Sequence, residues 1–419
     1  MTPAQLSIIF FLQVAVILIT CRLVGTAAQR WLGQPRVVGE MIAGVILGPS
    51  LFGALVPNLQ IWLFPADSKP ILFVIAQFGV GLYMFLVGLG LARNEFAANA
   101  RGAMAVSFAG MASPALGAML LAPWLLGLDG LFTAQVGQWE ATLFLTAAIA
   151  ITAFPMLARI IHERGLAGTP MGTLSLSAGA IDDAVAWCLI AIVLASLGDG
   201  PAVAYWAVGG GLVFAFLMVF VAPRLLRALE RLDLGEGDRG HSLLATSLIL
   251  FMLAAWSMDV VGIHAVFGGF LLGTAMPRGR VADFVRARLE PVTVVLLLPF
   301  FFTYSGLHTE LTLLADPALL LVTAGVLAVS ILTKGGACFV AARLSGQSRS
   351  TAMGIGALMN ARGLMELIVI NIGLQRGIIG PALFSMLVVM AIITTLMASP
   401  LFEAVYGKRA RAQGRLGTG

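Results

Sequence analysis

Residues Thr173 to Ser196 read TLSLSAGAIDDAVAWCLIAIVLAS, and two adjacent carboxylates, Asp182 and Asp183, stand in the middle of a stretch that is otherwise small or apolar. At 1.5 Å per helical residue this run is about 36 Å long, enough to cross a bilayer core about 30 Å thick. The aspartates fall close to its midplane. A charge at the centre of a spanning helix costs about 2.5–3.5 kcal/mol on insertion scales, and such residues face a bundle interior or a watery cavity rather than lipid.

The rest of the chain supplies that bundle. Of 419 residues, 59% are hydrophobic and 11% charged, whereas a soluble domain carries about 25% charged residues. Apolar runs fall at 6–28, 37–54, 71–92, 101–125, 141–162, 173–197, 203–225, 242–258, 261–276, 288–306, 317–342, 351–373 and 381–405. They predict an all-α membrane protein of about 13 transmembrane helices forming a single transport domain over 1–419. The first run has no basic residue before it and is too long for a signal-peptide core, so it is read as the first spanning helix.

Basic residues sort by loop. Of the 25 Lys and Arg, 20 fall in one alternating set of connections and the C-terminal tail, whereas the other set holds only Lys69 and Arg376. By the positive-inside rule the first set is cytoplasmic, with the N-terminus outside and the C-terminus inside, as an odd helix count requires. The net charge of +5 therefore comes from cytoplasmic loops and implies no nucleic-acid partner. Cys21, Cys188 and Cys338 are scattered singly in apolar runs, as packing residues are, with neither disulfide nor metal-ligand spacing. His162, His241, His264 and His308 are equally dispersed. Enzyme chemistry, a cofactor and a resident metal are not expected.

Three basic residues lie within helices. Arg22 is near the cytoplasmic end of the first run and can snorkel to the interface. Lys334 is deep in the run 317–342, and Arg362 stands one turn before Glu366 in the run 351–373. Two reasons for that last pair stay open, a structural ion pair or part of a working site. Two neighbouring carboxylates repel each other and gain nothing structurally from adjacency. With one ammonium nearby, they can trade a proton or a metal cation for the lysine.

The backbone carries a second signal. The run 141–162 has Thr152, Ala153, Phe154 and Pro155 near its middle, and an interior proline removes a helix hydrogen bond and clashes with the preceding turn. The run 351–373 contains Gly354, Gly356 and Gly363, with Asn360 shortly before the last. Such spans are either kinked and glycine-packed, or interrupted to form a transporter's binding site. They are the fifth and twelfth in order, an odd shift that gives two repeats of inverted topology.

These residues resemble the second family of monovalent cation:proton antiporters, especially bacterial Kef-like members and plant and fungal CHX-type exchangers. The similar segments run along nearly the whole chain: GQPRVVGEMIAGVILGPSLFG (33–53), FLVGLGL (85–91), ITAFPMLARI (151–160), SAGAIDDAVAW (177–187), GIHAVFGGFLLGTAMPR (262–278), PFFFTYSGLHTEL (299–311), LTKGG (332–336) and MNARGLMELIVINIG (359–373). The resemblance implies a homodimer in a bacterial inner membrane, exchanging protons for Na+ or K+. It implies core helices at about 101–197 and 317–405, scaffold and dimer helices at about 6–92 and 203–306, and two discontinuous helices crossing beside the aspartates. By position, Asp183 corresponds to the ion- and proton-binding carboxylate, Asp182 to its helper, Thr152 to the ligand at the break and Lys334 to their ion-pair partner. Arg362 and Glu366 match the charged pair of the second broken helix, with Asn360 beside it.

Two departures stand out. Kef-like relatives often carry an acidic residue where this chain has Gly90, and the tail after Tyr406 is too short for their C-terminal nucleotide-binding domain. The expected mechanism is competition among proton, cation and Lys334 for Asp183, with oxygens at Thr152 and near Asn360 completing the ion's shell. The competing readings are a Kef-type potassium efflux channel and a sodium-coupled organic-anion symporter. A channel would conduct without proton counterflow, and a symporter needs a wider polar cavity than these few intramembrane polar residues offer.

Overall fold

The computed structural model describes residues 1–34, 36–90, 93–194, 205–231, 238–262, 265–307 and 316–407. Among them the chain is helical almost throughout, with one isolated bridge between Phe132 and Ile379. The helices are α1 (Pro3–Leu32), α2 (Arg36–Leu47), α3 (Pro57–Leu63), α4 (Lys69–Gly90), α5 (Arg93–Leu126), α6 (Gln138–Ala150), α7 (Phe154–Glu163) and α8 (Pro170–Leu194). Then come α9 (Trp206–Leu229), α10 (Asp238–Val261), α11 (Ala265–Ala275), α12 (Arg280–Val292), α13 (Leu298–Gly306), α14 (Pro317–Leu344), α15 (Arg349–Met359), α16 (Leu364–Gln375) and α17 (Pro381–Phe402).

Eight described helices are long and apolar enough to cross a membrane on their own. The 13 expected runs do not each become one such helix. The runs 141–162 and 351–373 are each two short helices, and the run 261–276 is an 11-residue helix. Helix α1 outruns its apolar stretch at both ends. Thr2 caps it by accepting from the Gln5 N–H with Pro3 in the first turn, and Gly33 ends it in the left-handed conformation at φ 59°.

Two packing sets emerge from the contacts. In one, α1 lies on α2, α2 and α4 on α13, α4 on α11, and α11 on α10. In the other, α5 packs on α6, α8 and α14, while α14 and α17 hold α15. The second halves of the two broken runs bridge the sets, α7 reaching α2 and α4, and α16 reaching α13. The Phe154 ring, at the start of α7, stands edge-on to Phe270 of α11 with centroids 4.8 Å apart.

Helices in lipid gain little from the hydrophobic effect between themselves, so association rests on close contact over small residues. Gly44 and Gly48 of the GEMIAGVILG stretch meet Phe302 and Gly306 of α13, so these glycines are used within the chain. A side chain at Gly44 would put its Cβ 2.8 Å from the Phe302 carbonyl carbon. Gly44→Val is accordingly expected to destabilise the fold by about 1–3 kcal/mol. A melting curve in detergent checks this, and an unchanged midpoint would count against the α2–α13 contact.

Candidate ion-binding site

Pro155 sits in the first turn of α7, where its missing N–H is harmless, and Ile151 to Ala153 before it are outside any helix, with Ile151 extended. The carbonyls at the end of α6 consequently lack helical donors, since the last turn of any helix has none of its own. In α15–α16 the chain leaves the helix from Asn360 to Gly363. The two breaks touch: the Ala153 N–H donates to the Ala361 carbonyl at 3.0 Å. Gly363 allows the approach because a Cβ there would lie 2.8 Å from Met156 Cγ.

The five intramembrane charged residues singled out in the sequence are all buried here. Lys334 reaches Asp182 Oδ2 at 2.5 Å and also donates to the Ala150 carbonyl. Ser107 of α5 donates to Asp182 Oδ1 at 2.6 Å. The Thr152 hydroxyl lies 2.9 Å from Asp182 Oδ2 and 3.1 Å from the Met359 carbonyl, bridging the first break to the second. Lysine, threonine and serine thus all converge on Asp182. Asp183, 4% exposed, keeps Oδ1 without a hydrogen-bond partner. Its carboxylate faces the Phe154 N–H at the N-terminus of α7, where the helix dipole favours an anion.

Arg362 occupies the other side of the same helix end. Its guanidinium donates to the carbonyls of Ala148 at 3.1 Å and Ile149 at 2.6 Å, and to the Ser330 hydroxyl. Glu366 Oε1 is 3.5 Å from Arg362 Nη1, and neither of its oxygens accepts a hydrogen bond. Asn360 donates to the Gly356 carbonyl at 3.1 Å, which orients the amide and leaves Oδ1 unpartnered. Three successive carbonyls, 148 to 150, are therefore met by two buried cations.

Ser107, Ser330, Thr395 and the α6 carbonyls were not among the expected site residues. Ser330 had a signal, standing one turn before Lys334 on the same face. Thr395 had none: its hydroxyl serves the Arg362 backbone, yet also donates to its own Ala391 carbonyl, as any membrane-helix threonine does.

A cavity of about 210 Å³ runs between α4, α7, α8 and α12, lined by Tyr83, His162, Thr173, Arg286 and Glu290 among others. The Arg286 guanidinium stands over Gly90, its Cζ 3.1 Å from where a Cβ would be. A basic group thus lies next to Gly90, the position marked in the sequence as a departure from the Kef-like pattern. His162 is mostly exposed, 3.7 Å from Glu290, and His264 and His308 lie outside the described residues. Arg22 is exposed beside Arg36 and Glu40, while Cys21 and Cys338 are buried free thiols. No cluster of His, Cys, Asp and Glu among the described residues could hold a metal.

The chain matches the sodium/hydrogen exchanger transmembrane family over residues 8–405. It belongs to that family. Membership goes with proton-coupled exchange of a monovalent cation across a membrane, and with transport rather than enzyme catalysis. The chain is 37% identical to the Na(+)/H(+) antiporter NhaS4 of Synechocystis over 94% of its own length and 96% of that protein's. It is 31% identical to the K(+)/H(+) antiporter 1 of Saccharomyces cerevisiae over 95% of its length, spanning 46% of that longer protein. Among solved structures it resembles the sodium proton antiporter MjNhaP1 of Methanocaldococcus jannaschii, with a TM-score of 0.62 at 15% identity, covering 93% of this chain and 95% of that one. At that identity the likeness speaks for the fold.

Removing one partner of a buried ion pair strands the other, at a cost of about 3–5 kcal/mol. Lys334→Ala is expected to lower thermal stability by that order in detergent. Wild-type melting would show that the ammonium does not hold Asp182 and α6 together.

Proposed function

We propose that Asp183 is the carboxylate at which a proton and a monovalent cation, Na+ or K+, take turns. The observation that carries this is the unequal treatment of two neighbouring acids. Asp182 is saturated by Lys334, Ser107 and Thr152, whereas Asp183 keeps an oxygen that no protein donor meets. A buried carboxylate whose nearest ammonium is committed to its neighbour, and one of whose oxygens meets no donor, is neutralised by whatever small cation reaches it. Oxygens at the two breaks, with the free Oδ1 of Asn360 among them, complete the shell of a bare alkali ion. Lys334 then serves as the partner of Asp182, and Arg362 with Glu366 as the ion pair that steadies the second break.

In this reading the set built on α5, α6, α8, α14, α15 and α17 moves as a core past a scaffold containing α1, α2, α4, α10, α11 and α13. The sparse contacts of α7 and α16 across the seam, and the cavity beside α7, suit such a sliding surface. A homodimer seated on the scaffold in a bacterial inner membrane, N-terminus outside and C-terminus in the cytoplasm, completes the picture, with loop charge as the support for orientation.

Asp183→Asn keeps the shape and removes the titratable charge. In proteoliposomes carrying a pH-sensitive dye, this variant is expected to lose alkali-cation-dependent proton movement while its melting temperature stays at or above that of the wild type. Undiminished exchange would overturn the assignment. Because the ligands compete, the cation concentration giving half-maximal exchange is expected to rise about tenfold for each unit the pH falls in the range where Asp183 is mostly protonated, by mass action. A pH-independent half-saturation would contradict competition at one carboxylate.

A further inference from the structure

We propose that an anionic phospholipid binds in the groove between α1, α2 and α13, with its phosphate on Arg22 and Arg36 and an acyl chain along the apolar wall. The groove has a volume of about 720 Å³ and lies well away from the aspartates, against α1, α2 and the stretch that links α12 to α13. Its polar end is made by Arg22, Thr26, Arg36 and Glu40. Leu18 and Ile19 of α1 continue one wall, with Val295 and Pro299 opposite.

Arg22 is the residue that calls for a ligand. Arg30 and Trp31, both exposed, lie at the end of α1, where basic and aromatic side chains mark the edge of a membrane. Arg22 stands eight residues before Arg30, about 12 Å further in along the helix axis. Snorkelling carries its head only part of that way. A guanidinium keeps its charge in any protein setting, and a charge at such depth is costly without a partner. Arg22 is exposed into the groove, and among the described residues it makes no hydrogen bond or ion pair.

The neighbouring turn adds to the attraction for an anion. Gly25 brings α1 against α2, so that a Cβ there would lie 3.8 Å from Glu40 Cγ and 3.9 Å from Arg36 Cβ. Arg36 donates to Gln29 through Nε at 2.7 Å, and among the described residues its two amino groups are left over. Two arginines thus face one acid among the residues that line the groove.

The chemistry of the walls selects the occupant. Guanidinium groups match phosphate oxygens in pairs, and basic pockets between membrane helices take anionic headgroups. Polarity runs along the groove as it does along a lipid, with Leu18 and Ile19 one turn deeper than Arg22, and Thr26 and Arg36 nearer the membrane edge. A soluble anion would leave the apolar wall bare. A zwitterionic lipid brings its own ammonium beside the phosphate, so an anionic headgroup gains most from the excess positive charge. Helices α1, α2 and α13 belong to one packing set, and a lipid here staples that set together without touching the exchange site.

The test uses the full chain, delipidated in a neutral detergent. Melting curves are recorded with phosphatidylglycerol, with phosphatidylcholine of the same acyl chains, and with inorganic phosphate, and native mass spectrometry counts the lipid retained. A ligand that binds only the folded protein raises the midpoint by mass action. Phosphatidylglycerol is expected to raise it more than phosphatidylcholine, and inorganic phosphate to leave it unchanged. Arg22→Gln removes no contact within the protein, so its lipid-free midpoint is expected to match the wild type while its apparent affinity for phosphatidylglycerol falls about fivefold or more. Arg22→Lys keeps the charge and is expected to keep most of the preference. Should R22Q not fold, Arg36→Gln, at the exposed start of α2, gives the same reading. Equal effects of the two lipids on the wild type overturn the proposal, as does a preference that survives both substitutions. Stabilisation by inorganic phosphate alone assigns the arginines to a soluble anion and overturns the lipid. An R22Q variant that loses a dimer, with no lipid preference in the wild type, gives the groove to a second copy of the chain and overturns it as well.

Discussion

Everything at the centre of this protein follows from three carbonyl groups that have no helix to bond to. Pro155 forces the chain out of helix after Ala150, so the carbonyls of Ala148, Ile149 and Ala150 point into an interior from which lipid excludes water. An unsatisfied buried backbone group costs about 1–3 kcal/mol, and a helix C-terminus attracts positive charge. Arg362 and Lys334 meet all three carbonyls. Those cations are themselves intolerable in the interior without anions, which accounts for Glu366 and Asp182. Asp183 is the charge this chain of needs does not absorb, and it is the one set before the opposite, N-terminal end of the break.

The packing serves the same arrangement. Two interrupted helices can cross only if their backbones nearly touch, and Gly363 against Met156 and Ala153 provides the clearance, with the Ala153-to-Ala361 hydrogen bond tying the breaks together. Gly335 and Gly356 bring α14 up to α15 in the same manner, so that Lys334 is carried on a helix in direct contact with the second break. On the other side of the molecule Gly44, Gly88, Gly273 and Gly306 seat α2 on α13 and α4 on α11. Two tightly knit groups of helices with thinner contact between them are what alternating exposure of a fixed site requires, since packed cores switch between discrete arrangements rather than deforming smoothly.

Much of this was legible in the sequence because lipid is an unforgiving solvent. A charge or a proline in the middle of an apolar run is conspicuous, and Asp182, Asp183, Lys334, Arg362, Glu366 and Pro155 all announced themselves that way. Only the family resemblance told the two aspartates apart; which of them meets Lys334 was not legible from the residues themselves. Adjacent residues on a helix point about 100° apart, and which of them meets Lys334 depends on how α8 is rotated against α14, a relation no local pattern encodes. Buried helices that are apolar on every side give no face to read. Ser107 was hidden for a related reason, since a lone hydroxyl in a membrane helix ordinarily bonds its own backbone. The count of spans was blurred by the interrupted runs, whose halves are each shorter than a membrane.

The central claim is that among the described residues one buried carboxylate, Asp183, is left for a proton and a metal ion to share. Its most direct measurement is proton release on cation binding, with no membrane gradient involved. Alkali chloride is added to the detergent-solubilised protein in weakly buffered solution at a pH where the site is mostly protonated. The account predicts release approaching one proton per protomer at saturating cation, absent when Asp183 is replaced by asparagine. Cation binding without proton release, or release that survives that replacement, would contradict it.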